Sequence, residues 1–216
     1  MGIKLRDLSS PKKIKINDLA GNVVAIDGFN TIYQFLTTIR GQSGEPLMDS
    51  KGRVTSHLTG LFYRNINLLM ANIKPIYVLD GKPSALKKII IEKRREVREK
   101  MEQKYHQALK EGKIEDAKKY ARSTVKINEL IINDCKKILE LMGIPVINAP
   151  SEGEAAAAYL TEINFASVTV SQDYDSLLFG AKKLVRNLNT TGKRRIKNTS
   201  KYINVEPEMI ELNKFL

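Results

Sequence analysis

The sequence predicts an α/β fold with a central, mostly parallel sheet flanked by helices, and three observations carry that expectation. In residues 144–179 a short apolar run (Val146, Ile147) stops at Pro150, a helix pattern opens at Ser151-Glu152-Gly153-Glu154, and the β-branched run Val168-Thr169-Val170 leads into Asp173-Tyr174-Asp175. Strand, helix and strand in that order make a parallel pair with a right-handed crossover. The phrase "apolar run, then Asp-Gly" occurs twice, at residues 23–28 and 76–81. Fully apolar runs are what strands buried on both faces look like. Between these two runs, Phe29, Ile32, Tyr33, Leu36 and Ile39 recur at helical spacing.

The elements follow in order. Residues 1–22 are a basic lead-in that ends at the turn Ala20-Gly21-Asn22. The first strand covers 23–26, and its helix stops at Gly41. Residues 41–53 are a loop rich in Gly, Pro and Asp. Ser56 opens a helix that carries Leu58, Leu61, Phe62, Ile66 and Leu69 on one face, and Pro75 precedes the second strand. Residues 81–128 hold 15 Lys or Arg against 7 Asp or Glu, with a thin apolar stripe of Val97, Met101, Tyr105 and Ala108. Gly112 divides this stretch into a helical hairpin, which pairs such as Glu96–Lys100 and Glu115–Lys119 could lace together. A core helix is expected over 125–142, with Ile127, Ile131, Cys135, Ile138 and Met142 on its inner face and Gly143 as its stop. Residues 182–188 read as a strand, 192–197 as a basic turn and 207–212 as the start of a helix. The organisation expected is a first part of the core (1–80), a basic hairpin (81–128) and a second part of the core (129–216).

Composition narrows the function. The net charge is +12 and the pI is near 9.6, which favours a polyanionic partner, nucleic acid before membrane. A single cysteine, Cys135, excludes internal disulfides and a multi-cysteine zinc site, and reads as a small core hydrophobe. His57 and His106 are the only histidines and stand far apart. Any metal is therefore held by oxygen, which selects Mg²⁺ or Mn²⁺. Without a secretory leader or a run long enough to span a bilayer, the expected location is intracellular.

In open α/β sheets, sites form beyond the carboxyl ends of the strands. Six acids fall there: Asp27, Asp80, Glu152, Glu154, Asp173 and Asp175. Each has an ordinary explanation. Asp-Gly after a strand is a turn, Asp173 and Asp175 are common turn residues, and Ser151-x-x-Glu154 is a capping box. Crowding argues otherwise, because like charges at one rim either raise their pKa values or draw in a cation. Acids that hold metal beside bases that collect phosphates are what an enzyme cutting phosphodiesters needs.

The motifs also carry a resemblance. Met1-Gly-Ile-Lys-Leu, Val-Ala-Ile-Asp27-Gly-Phe-Asn-Thr-Ile-Tyr33-Gln-Phe-Leu, Thr-Ser-His57-Leu and Phe-Tyr-Arg64 are similar to the flap endonuclease family, within the wider XPG superfamily of structure-specific 5′ nucleases. So are Val-Leu-Asp80-Gly-Lys-Pro, Met-Gly-Ile-Pro-Val, Ala-Pro-Ser-Glu152-Gly-Glu154-Ala and Ser-Gln-Asp173-Tyr-Asp175-Ser-Leu-Leu-Phe-Gly. The resemblance runs in order over essentially the whole chain, and the wording is nearest to archaeal members. It implies a PIN-like core with a helical arch at the charged hairpin, and a nuclease that removes 5′ DNA flaps, with 5′→3′ exonuclease activity, in replication and repair. By motif position it implies Asp27, Asp80, Glu152 and Glu154 on one Mg²⁺ ion and Asp173 and Asp175 on a second, with Mn²⁺ able to substitute. Lys87 and Arg94 match the arch bases that act on the scissile phosphate, with Asp175 beside them in the catalytic set. Tyr33 matches an aromatic that stacks on a base. Arg40, Arg95 and Lys126 are further candidates for DNA contact. The implied location is cytoplasmic with the nucleoid in an archaeon and nuclear in a eukaryote.

The pattern departs from the family in three places. Residues 1–216 stop short of the segment with a further aspartate, a helix–turn–helix that grips duplex DNA and a bound K⁺. They also stop short of the C-terminal peptide that binds the sliding clamp, PCNA. Ser123 is uncharged where relatives often carry a base. Two other classes are weighed against this reading. A phosphotransferase of the haloacid-dehalogenase type needs a second aspartate where Phe29 stands. A non-catalytic DNA-binding module does not need all six acids.

Overall fold

The computed structural model describes residues 5, 9–42, 44–82, 88–188, 193–195 and 202–214. Its elements are β1 (Lys12–Lys13), β2 (Val23–Asp27), α1 (Gly28–Thr38), α2 (Ser56–Met70), β3 (Lys74–Leu79), α3 (Lys88–Lys110), α4 (Ile114–Ala121) and α5 (Glu129–Leu141). They continue with β4 (Val146–Asn148), α6 (Gly153–Glu162), β5 (Val168–Val170), α7 (Asp175–Leu178), β6 (Lys183–Arg186), β7 (Lys193–Arg195), β8 (Tyr202–Asn204) and β9 (Glu208–Glu211).

The chain divides into two compact units. The first holds Met1–Thr31, Arg64–Gly81 and Ile144–Leu216. It contains the sheet, in the order β1-β9-β6-β5-β2-β3-β4. The five strands from β6 to β4 run parallel, and β9 and β1 close one edge antiparallel. The mostly parallel sheet is as the sequence predicts. The apolar runs make its middle: Val24, Ala25, Ile26, Tyr77, Val78, Leu79, Val168 and Val170 are all buried. α6 lies on β2, β3 and β5. It can do so closely because its buried face is alanine, with Ala157 in one cluster with Ala25, Val78, Ala149 and Ala166.

The second unit holds Ile32–Tyr63 and Lys82–Gly143. α3 and α4 pack on each other as a hairpin, with Ala108, Ala117 and Ala121 buried. Exposed ion pairs Arg95–Glu99 (3.4 Å) and Glu115–Lys118 (2.9 Å) lie on these helices. On α2, Gly60 lies against the ring of Phe35, so that a Cβ there would run into it.

Three expectations are corrected. Residues 208–211 form strand β9, not a helix, because pairing with β6 satisfies that strand's open edge and buries Ile210 opposite Leu184. Residues 193–195 of the basic turn are strand β7, paired antiparallel with β8. α5 starts at Glu129 instead of 125, because the Asn128 side chain caps it by accepting the Ile131 N–H at 2.9 Å. Its buried residues are Ile131, Cys135 and Leu139. The ordinary alternative for Glu154, a Ser151/Glu154 capping box, does not form: Glu152 occupies the N-cap position of α6 with no side-chain capping bond.

Candidate metal centre

Parallel neighbours in one sheet release their chains at the same rim. β2 pairs with β3 on one side and β5 on the other, so the residues following these three strands emerge together. Asp27 ends β2 and is 6% exposed. Its Oδ1 accepts the N–H of Asn30 (3.0 Å), which caps the first turn of α1, and its Oδ2 accepts the Ser171 hydroxyl (3.0 Å). Asp80 follows β3, and its Oδ1 accepts the N–H of Gly153 (2.6 Å) at the start of α6. That loop is drawn in tightly: Gly81 donates to the Ser151 carbonyl (2.6 Å), and a Cβ at Gly81 would run into the carbonyl oxygen of Ala149. The close approach brings Glu152 and Glu154, at the start of α6, to the end of β3.

The loop after β5 carries the other two acids. The Asp173 N–H donates to Ser171 Oγ (3.2 Å), and Asp173 Oδ2 accepts from Asn30 Nδ2 (2.8 Å). Asp175 opens α7. Arg186 on β6 braces this loop. Its Nε donates to the Gln172 carbonyl (3.0 Å), its Nη1 donates to the Tyr174 hydroxyl (2.6 Å), and the guanidinium lies 4.4 Å from the centre of that ring.

The electrostatics bear the marks of crowding. Burial, and then the charges of Asp27, Asp175, Asp173 and Asp80 in that order, push the Glu154 carboxyl up to about 8. Burial chiefly raises Asp27 to about 6; the Asn30 N–H and Ser171 hydroxyl oppose the rise, and the charges of Asp80 and Asp173 add to it. Among the described residues no three acidic, histidine or cysteine side chains stand close enough to hold one ion together. Asp27, Asp80 and Asp173 instead rest on the donors named above. The donor set is all oxygen and short of positive charge, which fits a hard divalent cation.

The expected DNA-contact residues that are described lie in the second unit. Lys87 falls outside the described residues. Arg94 is exposed on α3, and Arg95 beside it pairs with Glu99. Tyr33 is 47% exposed. Arg40 is half-buried and turned inward: its Nε donates to the Leu36 carbonyl (2.8 Å) and its Nη1 to that of Gly44 (2.6 Å). Lys126 is exposed and, with Arg40, lines a cavity of about 130 Å³ walled by Leu36, Pro46, Val54 and Ile131. Sequence reasoning missed Asn30, Ser171 and Arg186. For Asn30 a signal existed: an Asp three residues before a polar side chain, at the start of a helix, is a capping arrangement.

Two family models match the chain, the XPG N-terminal domain over residues 1–101 and the XPG I-region over residues 143–216. Flap endonuclease 1 of Pyrococcus furiosus is 54% identical over 216 residues, all of this chain and 64% of its own length. The chain belongs to the flap endonuclease family. It spans 57–64% of the length of the curated relatives it matches. Among solved flap endonucleases, that of Methanococcus jannaschii superposes with a TM-score of 0.73 at 44% identity, over 100% of this chain and 64% of that one. The catalytic core of Rad2, solved in complex with DNA substrate, superposes with a TM-score of 0.65 at 27% identity, over 98% of this chain and 54% of that one. The six acids fall within the two regions that the XPG models match.

Proposed function

We propose that this chain is the nuclease core of a structure-specific 5′ flap endonuclease with 5′→3′ exonuclease activity. It would hydrolyse DNA phosphodiesters with Mg²⁺ in flap processing during replication and in repair, inside the cell. The observation that carries the reading is the acidic rim: the charges of four aspartates bear on one half-buried glutamate, Glu154. Such a group is costly to keep ionised and is relieved by a cation. The relatives' names and the DNA-bound Rad2 core support the same reading.

Asp27, Asp80, Glu152 and Glu154 would hold one ion, and Asp173 and Asp175 the other. Bound there, a pair of divalent ions supplies Lewis acidity and an activated water. The chain does the rest. Buried Asp27 fixes the inner end of the set, and the 2.6 Å bond from Gly153 aims Asp80. Arg186 holds the 172–174 loop, so that Asp173 and Asp175 keep their places. Lys87, Arg94, Arg95 and Lys126 would gather phosphates by charge, as the +12 balance suggests. Tyr33 offers an exposed ring for a base to stack on. The sliding clamp is a proposed partner of the family protein, through a peptide beyond residues 1–216.

The test is cleavage of an end-labelled 5′ flap substrate beside the matching single strand, with Mg²⁺ and with EDTA. Metal-dependent release of the labelled flap supports the reading. A folded protein that binds DNA and cuts neither substrate with Mg²⁺ or Mn²⁺ refutes it.

A further inference from the structure

Asp27 and Asp173 belong to different proposed ion sites, follow different strands and are 146 positions apart in the chain, yet one residue touches both. The Asn30 backbone N–H donates to Asp27 Oδ1 at 3.0 Å, and its side-chain Nδ2 donates to Asp173 Oδ2 at 2.8 Å. Its third group, Oδ1, accepts the Gln172 N–H at 3.4 Å. That last contact decides which way the amide faces. An amide turned over would set its oxygen against a carboxylate and its NH₂ against an N–H. The side chain therefore presents donors, and only donors, to the acids.

A second bridge runs beside the first. Ser171 Oγ donates to Asp27 Oδ2 at 3.0 Å and accepts the Asp173 N–H at 3.2 Å. The serine ties Asp27 to the Asp173 backbone, which leaves the direction of the Asp173 carboxylate to Asn30. The amide is the one side-chain type of this size that can do this. Aspartate would place a further negative charge against Asp173, leucine has the shape without the donor, and glutamine places its donor one methylene too far out.

We propose that Asn30 is a positioning residue that orients the Asp173 carboxylate relative to Asp27, so that the two halves of the acidic set take up divalent ions as a coupled pair. The proposal rests on the metal-dependent nuclease reading and adds to it a residue that touches neither substrate nor ion. Groups that orient metal ligands typically contribute about 10–100-fold in metal affinity when removed.

The experiment compares wild type with Asn30→Ala and the same-shaped Asn30→Leu. Mn²⁺ uptake is measured by calorimetry without DNA, and flap cleavage across a Mg²⁺ series. The proposal expects Mn²⁺ affinity to fall about tenfold or more in both variants, with a shallower isotherm. The half-saturating Mg²⁺ for cleavage should rise in step, and the maximal rate should be recovered at high Mg²⁺. Melting in EDTA within a few degrees of wild type shows that the fold is intact. If either variant fails to fold, Asn30→Ser, whose shorter side chain keeps a polar group but falls short of the Asp173 carboxylate, should weaken Mn²⁺ uptake in the same direction. Wild-type Mn²⁺ isotherms in the folded variants overturn the proposal and leave the nuclease reading standing. So does a rate loss that high Mg²⁺ does not recover while Mn²⁺ uptake is normal. A wild-type protein that takes up no Mn²⁺ and cuts no DNA overturns both.

Discussion

The substitution Asp27→Asn should stabilise the metal-free protein at alkaline pH, although it removes a proposed metal ligand. The Asp27 carboxyl is raised from 3.8 to about 6, chiefly by burial. A carboxyl raised in the folded state keeps its proton after the unfolded chain has released it. Stability is then lost as pH climbs from 3.8 to about 6, and the full cost is present above 6. A rise of about two units corresponds to about 3 kcal/mol at 1.36 kcal/mol per unit. The asparagine side chain would be neutral and isosteric, and its Oδ1 could still accept the Asn30 N–H. The charge-assisted bond from Ser171 would be lost, an offset of about 1 kcal/mol. The net gain is about 2 kcal/mol at pH 8, or about 4–8 °C in Tm for a chain of this length. Thermal unfolding followed by circular dichroism in EDTA at pH 8 and pH 3.5 measures it. The gain should vanish at pH 3.5, where aspartate is also neutral, and reverse at pH 8 in saturating Mg²⁺, where only wild type keeps its full ligand set. A variant less stable than wild type in EDTA at pH 8, or a gap that does not change with pH, would refute the reasoning.

Other outcomes follow from the same structure. Asp175→Ala should abolish cleavage while DNA affinity, read by fluorescence anisotropy in Ca²⁺, stays equal or rises, because a negative charge near the phosphate is gone. Gly60→Ala should lower stability by about 1–3 kcal/mol in urea unfolding, because its Cβ would meet the Phe35 ring; pairing it with Phe35→Leu should recover part of the loss. Burial pushes the Cys135 thiol up to about 12, so iodoacetamide at pH 8 should label it only in denaturant; prompt labelling of the native protein would contradict its buried place in α5.

The middle of the sheet was legible because β2, β3 and β5 are buried on both faces, and only runs such as Val23–Ile26 satisfy that. Asp27 and Asp80 were legible for a related reason: a charged residue that ends a fully apolar strand can only be at the rim. Residues 207–212 misled, because Met209, Ile210 and Leu212 suit a helix equally well. What decides for a strand is the unpaired edge of β6, which no local pattern reveals. The basic segment at 192–197 reads as a turn by composition, yet backbone pairing with β8 draws 193–195 into a strand. Arg40 reads as a free cation, yet its guanidinium closes the loop through the Leu36 and Gly44 carbonyls. Side-chain to backbone bonds of that kind leave no periodic trace. Asn30 left a local signal only toward Asp27, three positions away; its partners Asp173 and Gln172 are 143 and 142 positions away, beyond any local pattern.

The outer strand β1 is two lysines long, both exposed, with Lys13 paired to Glu206 at 2.9 Å. β4, on the far side of the sheet, has three residues and is followed by Pro150. A parallel core this apolar would template strand addition by another chain if it ended on a long bare edge. Among the described residues, one side ends in two exposed lysines, of which Lys13 is held by Glu206, and the other offers three residues before a proline interrupts the ladder. Replacing Lys12 and Lys13 with valine should therefore raise light scattering on heating without altering the acidic rim.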